Sequence, residues 1–472
     1  MVAMSDVAII GAGPNGLGAG IVLQRAGRLV VVYERLNTIG GAAATRELTL
    51  PGFRHDLGAA VHPLGAASPL FQALPLTEHG LTWLRPEIPL AHPLDGGTAA
   101  TLHHSVAVTA EQLESDGPFY QRVVGGLARR WDVIGDAVFG PVLRIPAHPL
   151  ALAGLGSRGF WPASVAQRSL STDQGRALLA GLAAHTPMPL SKPGNTAVAL
   201  VLAALAHVTG WPVAKSGSQA IADALASVFR ELGGTIETNR HVRDLDDMSP
   251  VGTVLFDTGP RAMATIAGER LSTRVGRRYR NYRHGPGVFK VDYALDGPVP
   301  WTAPDCRKAG TLHVGGTADE IGNAEQAAWE GRVPDRPFVI VSQPTIADPG
   351  RAPEGKHVLW TYSHVPASST VDMTKAMEQQ IERFAPGFRD LILARRTMGP
   401  AHLEDWNPNL VGGDIAGGRT DRLRMLFRPK LSLHPYTVGP RLYLCSSATP
   451  PGPGVHGMSG YHAAQAVLHA GS

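Results

Sequence analysis

An α/β fold, with a parallel nucleotide-type sheet interrupted by a second α+β domain, is predicted by three features of the chain. It opens on a short apolar run, Val7-Ala8-Ile9-Ile10, that leads into a glycine-rich turn, Gly11-Ala12-Gly13-Pro14-Asn15-Gly16. One helix later a second run, Leu29-Val30-Val31-Val32-Tyr33, ends on Glu34. After a long intervening stretch, a helix followed by a strand returns at Ser218 to Thr238.

The first run is short, apolar and bounded by glycine, as a strand buried on both faces requires. Gly11 suits a tight turn, Gly13 a close backbone approach to a pyrophosphate, and Gly16 close packing of helix on strand, with Pro14 and Asn15 held between them. Leu17, Ile21, Val22 and Leu23 give Asn15 to Ala26 a helical spacing, and Gly27 stops it. The start of that helix offers unpaired N–H groups and a positive dipole end to the pyrophosphate. Glu34, at the end of the second strand, is placed to accept both hydroxyls of a ribose and would repel a 2′-phosphate.

The bare glycine pattern is weak, because Gly154-Leu155-Gly156-Ser157-Arg158-Gly159 and Gly452-Pro453-Gly454-Val455-His456-Gly457 repeat it. The former follows no β-branched run and reads as a flexible loop. The latter follows a good strand, Arg441 to Cys445, yet the chain ends too soon for another strand-helix-strand unit.

The 472 residues, 44% apolar, are enough for two domains with a large core. A net charge of +4 without any basic, aromatic-interleaved run argues against a nucleic-acid partner. Two distant cysteines, Cys306 and Cys445, give neither a redox pair nor metal-ligand spacing, so no metal is expected and a reducing cytoplasm fits best. With the first strand entered almost at once, no export signal is expected. The apolar stretch Thr196 to Val208 is too short to span a bilayer and reads as a buried helix, with a peripheral membrane contact as the second reading. Trp83, Trp161 and Trp211 could serve such a contact or an interface. Arg274 to Arg283 reads as a solvated face.

In the middle of the chain Ser218 suits an N-cap, and Ile221, Leu225, Val228 and Leu232 form an apolar stripe closed by Gly233-Gly234. Thr235 to Thr238 resumes as a strand. A nucleotide domain interrupted in this way is expected to be discontinuous. The expected limits are 1-65, 215-285 and 426-472 for the nucleotide domain, and 66-214 and 286-425 for the substrate domain.

Longer motifs make the reading specific. Gly40-Gly41-Ala42-Ala43-Ala44-Thr45-Arg46 follows Glu34-Arg35, and Pro51-Gly52-Phe53-Arg54-His55-Asp56-Leu57-Gly58-Ala59 comes soon after. With Asn407-Pro408-Asn409, Gly412-Gly413-Asp414 and the closing stretch Leu442 to Tyr461, the chain resembles the phytoene-desaturase-like and amine-oxidase-like flavoproteins. Within that superfamily it is most similar to the branch of the pyridine nucleotide-disulphide oxidoreductase domain-containing protein 2. The resemblance implies FAD as the dinucleotide and an α/β fold: an FAD/NAD(P)-binding Rossmann-type domain with an inserted α+β substrate domain built from a mixed sheet plus helices.

The resemblance also implies roles. Gly11, Gly13 and Gly16 would face the pyrophosphate, Glu34 the ribose, and Gly40, Gly41 and Ala42 the ribitol side, with Pro14, Asn15 and Arg35 also among the cofactor-binding residues. Val242 would meet the adenine. Gly58, Ala59, Ala60 and Val61 would pass beside the isoalloxazine, where small side chains let backbone approach a flat ring. Gly454, Val455, His456, Gly457 and Met458 would open the last helix, with its N–H groups toward the flavin N1 and C2 carbonyl, which explains the third glycine pattern.

Lys290, on the alternating run Gly287 to Tyr293, would hold a water near flavin N5 and could orient O2; the competing reading is a solvent-facing strand lysine. His62 and His456 are the further catalytic candidates, with His55 nearby, because each could exchange a proton near neutrality. His456 is placed on a loop that would expose it. Tyr461 reads as packing. Ser447-Ala448-Thr449-Pro450 lacks the aromatic expected of an amine-holding cage, and no second fingerprint for NAD(P)H is visible. Neither cysteine suits covalent flavin attachment.

The expected function is FAD-dependent dehydrogenation, desaturation or isomerisation of a hydrophobic small molecule such as an isoprenoid, polyene or lipid-like metabolite, with O2 or a quinone as acceptor. The alternative within enzymes is an amine or amino-acid oxidase using O2. The alternative of another class is a lipid-binding chaperone of the GDP dissociation inhibitor type, without redox chemistry.

Overall fold

The computed structural model describes residues 6–141, 143, 149–421 and 427–470; the outermost expected domain limits, 1, 426 and 472, fall outside these. In chain order the strands are β1 (Val7–Ile10), β2 (Val30–Tyr33), β3 (Thr45–Glu47), β4 (Arg54–Asp56), β5 (Trp83–Leu84), β6 (Ile88–Leu94), β7 (Thr98–Leu102) and β8 (Val213–Ala214). They continue with β9 (Thr235–Glu237), β10 (Thr253–Phe256), β11 (Gly287–Leu295), β12 (Ala309–Val314), β13 (Val339–Ser342), β14 (His357–Val365), β15 (Ile392–Met398), β16 (Thr437–Gly439) and β17 (Leu442–Leu444).

The first sheet runs β16-β17-β10-β1-β2-β9. All its pairings are parallel except β16 with β17. β1 lies at its centre and is buried throughout, as an apolar run without alternation requires when helices cover both faces. The register sets Ile10 between Tyr33 and Phe256, so the chain leaving β1 emerges between the ends of β2 and β10. The helix Pro14–Arg25 begins there and packs against the last helix, Met458–Ala470. The approach is so close that a Cβ on Gly460 would lie 1.8 Å from the Asn15 carbonyl oxygen.

The second sheet runs β15-β11-β14-β13-β12-β6-β7 and is antiparallel except where β6 meets β12. Its strands come from 88–102 and 287–398, whereas those of the first sheet come from 7–33, 235–256 and 437–444. The architecture is thus a Rossmann-type domain with an inserted mixed α+β domain. One register row crosses four strands of the second sheet, Lys290, Tyr362, Ile340 and His313. That face packs on the helices Asp173–Ala183 and Asn195–Val208 in a shared apolar cluster.

Several local expectations need correction. The Gly154 to Gly159 pattern is not a loop: it lies in the helix Pro149–Gly159, where three glycines are tolerated without any turn chemistry. Ser218 does precede the helix Gln219–Glu231, but its hydroxyl does not cap it, because it is used elsewhere. Leu232 falls just past that helix and is 37% exposed, outside the stripe formed by Ile221, Leu225 and Val228. The stretch around Thr196 to Val208 is the helix Asn195–Val208, packed between neighbouring helices. Among the described residues no helix is long and apolar enough to cross a membrane. Trp211 is a core residue whose indole N–H donates to the Leu202 carbonyl, while Trp161 is exposed.

Candidate functional site

The turn after β1 has the geometry an anion needs. Gly11 has φ of +107°, and Gly13 sits at the N-cap of the first helix without any side-chain hydrogen bond. No acidic residue occupies the first turn, and Pro14 opens the helix where its missing N–H costs nothing. Gly40, with φ of +123°, donates its N–H to the Ala12 carbonyl, and a Cβ on Gly41 would lie 3.3 Å from the Gly13 Cα. Gly40 to Ala42 therefore lies against the turn. The Glu34 carboxylate accepts from the Ala12 N–H at 3.0 Å and the Leu36 N–H at 2.9 Å. Arg35 points elsewhere, donating to the Trp406 carbonyl at 2.9 Å. Val242 is buried in the apolar cluster that contains Ile10, Val31 and Tyr33.

One residue of this turn escaped the sequence reading. Asp257 follows β10 and accepts the Gly16 N–H at 2.9 Å. A Cβ on Gly13 would come within 2.6 Å of its carboxylate, and one on Gly11 within 2.6 Å of its carbonyl oxygen. The glycines are thus required by the neighbouring strand as well as by any ligand above the turn. Burial pushes the Asp257 carboxyl up to about 8, with the N–H of Gly16 opposing and the charge of Glu34 adding.

A second group of residues surrounds Gly58 to Val61. The Ala59 N–H donates to the Ala42 carbonyl, and a Cβ on Gly58 would lie 2.3 Å from that same oxygen. The Trp360 indole donates to the Gly58 carbonyl at 3.0 Å. The Ser218 hydroxyl donates to the Ala59 carbonyl and meets His62 Nε2 at 2.8 Å. Since the serine proton is used, His62 must donate from Nε2, which leaves its buried Nδ1 bare. Burial brings the His62 pKa down to about 4, so it is a neutral base at neutral pH and not an acid.

Lys290 is 3% exposed, so the solvent-facing reading is overturned. It forms an ion pair with Asp292, and its ammonium lies 5.7 Å from the centre of the Trp360 ring. Burial lowers the lysine pKa against the opposing pull of Asp292, and burial raises Asp292 to about 6 despite the lysine. His55 Nδ1 stands 3.8 Å from Asp292, its Nε2 meets Thr49 at 2.8 Å, and burial holds its pKa near 3. Beside it Asp56 accepts from Arg351, the Ser218 N–H and the Thr45 hydroxyl. Burial would raise the Asp56 pKa, but Arg351 and these donors hold it low.

His456 departs from expectation. It is 1% exposed, its Nδ1 accepts the Met458 N–H at 3.0 Å, and its carbonyl accepts the Ser68 hydroxyl at 2.6 Å. Burial holds its pKa near 4. The last helix begins only at Met458, so Gly454 to Gly457 form the loop before it, and His456 supplies its cap. Gly454 and Gly457 have φ of +140° and +69°, which only glycine adopts cheaply.

The expected amine cage is missing at Ser447 to Pro450, yet aromatic rings are present on another element: Trp360 and Tyr362 of β14 lie 5.2 Å apart, edge to face. Farther along the same sheet face His313 and His185 meet at 2.8 Å, and His364 pairs with Glu325 at 2.9 Å. These residues come together through sheet register, which the sequence does not display. A cavity of about 360 Å³ lined by Lys192, Pro193, Trp329, Arg419 and Asp421 contains none of the expected site residues.

Comparison with known proteins agrees with this fold. Residues 9–74 match the family model described as NAD(P)-binding Rossmann-like domain. The chain is 27% identical to rat pyridine nucleotide-disulfide oxidoreductase domain-containing protein 2, over 98% of this chain and 93% of that protein. It is 37% identical to a limonene dehydrogenase polypeptide of Castellaniella defragrans over 113 residues, 24% of this chain and 20% of that protein. This match spans about a fifth of the limonene dehydrogenase polypeptide. An oxidoreductase from Methanosarcina mazei superposes with a TM-score of 0.64 at 18% identity, covering 98% of this chain and 99% of that one. Putrescine oxidase bound to putrescine gives 0.62 at 18% identity, with coverage of 98% and 99%. Cyclohexylamine oxidase from Brevibacterium oxydans gives 0.58 at 15% identity, with coverage of 99% and 98%. The chain is a Rossmann-fold oxidoreductase of the FAD/NAD(P)-binding type, similar along nearly its whole length to the pyridine nucleotide-disulfide oxidoreductase domain-containing protein 2 and sharing its fold with solved amine oxidases.

Proposed function

We propose that the protein binds FAD and oxidises an organic amine with O2 as acceptor. The observation that carries this reading is the convergence of Gly58 to Val61 with the Lys290–Asp292 pair and the Trp360–Tyr362 rings. The residues fit the cofactor: Gly13 at the N-cap of the first helix carries no side chain over the turn, Glu34 ends β2 beside that turn, and Gly58 and Ala59 pack backbone to backbone on Ala42 with no bulky side chain between. Gly11 to Gly16, Glu34, Gly40 to Ala42, Val242 and Gly454 to Met458 would hold it.

When bound, flavin supplies a two-electron acceptor for hydride from the substrate carbon. Trp360 and Tyr362, packed on each other, would form one aromatic wall beside the amine, which favours a cation on entry. Asp292, which burial raises to about 6, is the group placed to take the ammonium proton before oxidation. Lys290 would place positive charge where O2 gains electrons. The solved amine oxidases that share this fold support the reading.

A second reading, dehydrogenation or isomerisation of a hydrophobic molecule, is favoured by the apolar lining beside the same face, which includes Val61, Val288, Met398 and Leu403. The match to limonene dehydrogenase points the same way. The test is the visible spectrum of the purified protein with acid release of its chromophore, followed by mixing with alkyl amines and with terpenes and fatty acids. Bound FAD and peroxide formed with amines support the proposal. Anaerobic bleaching by terpenes or fatty acids alone moves the second reading to the front. A colourless protein that FAD cannot reconstitute overturns both and leaves lipid binding without redox chemistry.

A further inference from the structure

The dinucleotide turn is bracketed by two carboxyl groups. Glu34, from the end of β2, holds the Ala12 N–H, and Asp257, from the end of β10, holds the Gly16 N–H. Both donors belong to the turn on which a pyrophosphate would seat, and a pyrophosphate brings two negative charges of its own. Four negative charges around one helix start cannot be offset by its dipole, which amounts to roughly half a charge. Among the described residues Asp257 has no ion-pair partner, and the other titratable groups facing it are Glu34 and the Cys445 thiol, which burial keeps neutral. Asn15, on the first helix, is neutral. Each oxygen of Glu34 takes a backbone N–H.

We propose that Asp257 is a positioning residue of the dinucleotide turn and must carry its proton for the pyrophosphate to seat, so that loading takes up one proton wherever the free carboxyl is ionised. The inference rests on the dinucleotide-binding reading of the turn. A neutral carboxylic acid still accepts the Gly16 N–H through its carbonyl oxygen and keeps the turn closed, while removing one negative charge from the turn. The direction in which burial moves this carboxyl agrees with that role. The sign follows by linkage: where free Asp257 is already protonated, affinity does not vary with pH; above that range each bound dinucleotide must recruit a proton, and affinity falls as pH rises.

The test is titration of the FAD-free protein with FAD, followed by quenching of flavin fluorescence, from pH 7 to pH 9.5, with NADH as a parallel probe. The expected result is a constant Kd near neutrality that weakens about tenfold per pH unit above roughly pH 8.5. Asp257→Asn, which is neutral throughout and keeps the acceptor, is expected to give a flat profile and to hold FAD at pH 9.5. Glu34→Gln is expected to bind more weakly with the slope retained. Calorimetry of the wild-type protein at pH 9 in buffers of different ionisation enthalpy needs no variant and should count close to one proton taken up. A flat wild-type profile, a slope shared by Asp257→Asn, or a proton count near zero overturns the inference alone. Failure of both FAD and NADH to bind at pH 7 overturns the dinucleotide reading and the inference with it.

Discussion

Lys290 and Asp292 stand two residues apart on one face of β11 and form an ion pair that solvent does not reach. Strand alternation places both on the same side, toward Trp360. A buried lysine without a partner would give up its proton, so Asp292 is what keeps positive charge at this point of the site. Replacing Lys290 with Met should therefore slow reaction of the reduced protein with O2 by about 100-fold or more, while anaerobic reduction by substrate changes much less. Stopped-flow measurement of the two half-reactions decides this. Equal losses in both would assign the lysine to packing.

Asp56 and Arg351 form the neighbouring buried pair, at 2.8 Å, with neither side chain appreciably exposed. Removing one partner leaves an uncompensated charge, so Arg351→Met is expected to destabilise the protein by about 3–5 kcal/mol. The folded pKa of Asp56 lies below its unfolded value, so its contribution is present above about pH 4 and is lost as pH falls below that. Urea denaturation of both proteins at pH 7 and pH 3.5 should show the gap between them narrowing at the lower pH.

Gly460 and Asn15 set the contact between the last helix and the first, where there is no space for a Cβ. Gly460→Ala must push the helices apart, at a cost of roughly 1–3 kcal/mol. Because both helices begin at the proposed flavin site, the same change should lower FAD retention through gel filtration. A variant that is stable but still loses FAD would place the helix approach within the cofactor site. An unchanged melting temperature would show that so close an approach is not needed.

The parts of the site legible in the sequence are those determined by neighbours along the chain. A glycine turn between an apolar run and a helix needs only its own residues, and so does Glu34 at the end of the next strand. Gly154 to Gly159 shows the limit of that reasoning, since the same pattern sits in a helix when no strand precedes it. Asp257, Trp360 and Arg351 were not legible. Each reaches the site through strand pairing or a loop packed across two domains, and nothing in their local sequence announces the partner. His456 is legible as a residue of the loop before the last helix, but its burial is not, because exposure of a loop residue depends on what packs over it, here Ser68 and Phe139.

Four of the buried histidines give the protein a defined response to acid. His55 and His185 have pKa values lowered to about 3, and His62 and His456 to about 4, in each case first by burial. All four are neutral in the folded protein at pH 5, whereas in the unfolded chain each would be charged, with an ordinary value near 6.5. The unfolded state therefore binds more protons, and stability rises with pH between roughly 4 and 6.5. Unfolding at pH 5 should take up about one proton for each of these four residues, which corresponds to a loss of several kcal/mol on acidification from pH 6.5 to 4.5. Denaturant titrations across that range measure the slope, and His62→Phe should lower it by about one proton. A slope near zero above pH 4.5 would mean that these rings are hydrated in solution, and with them the segment from Gly58 to His62.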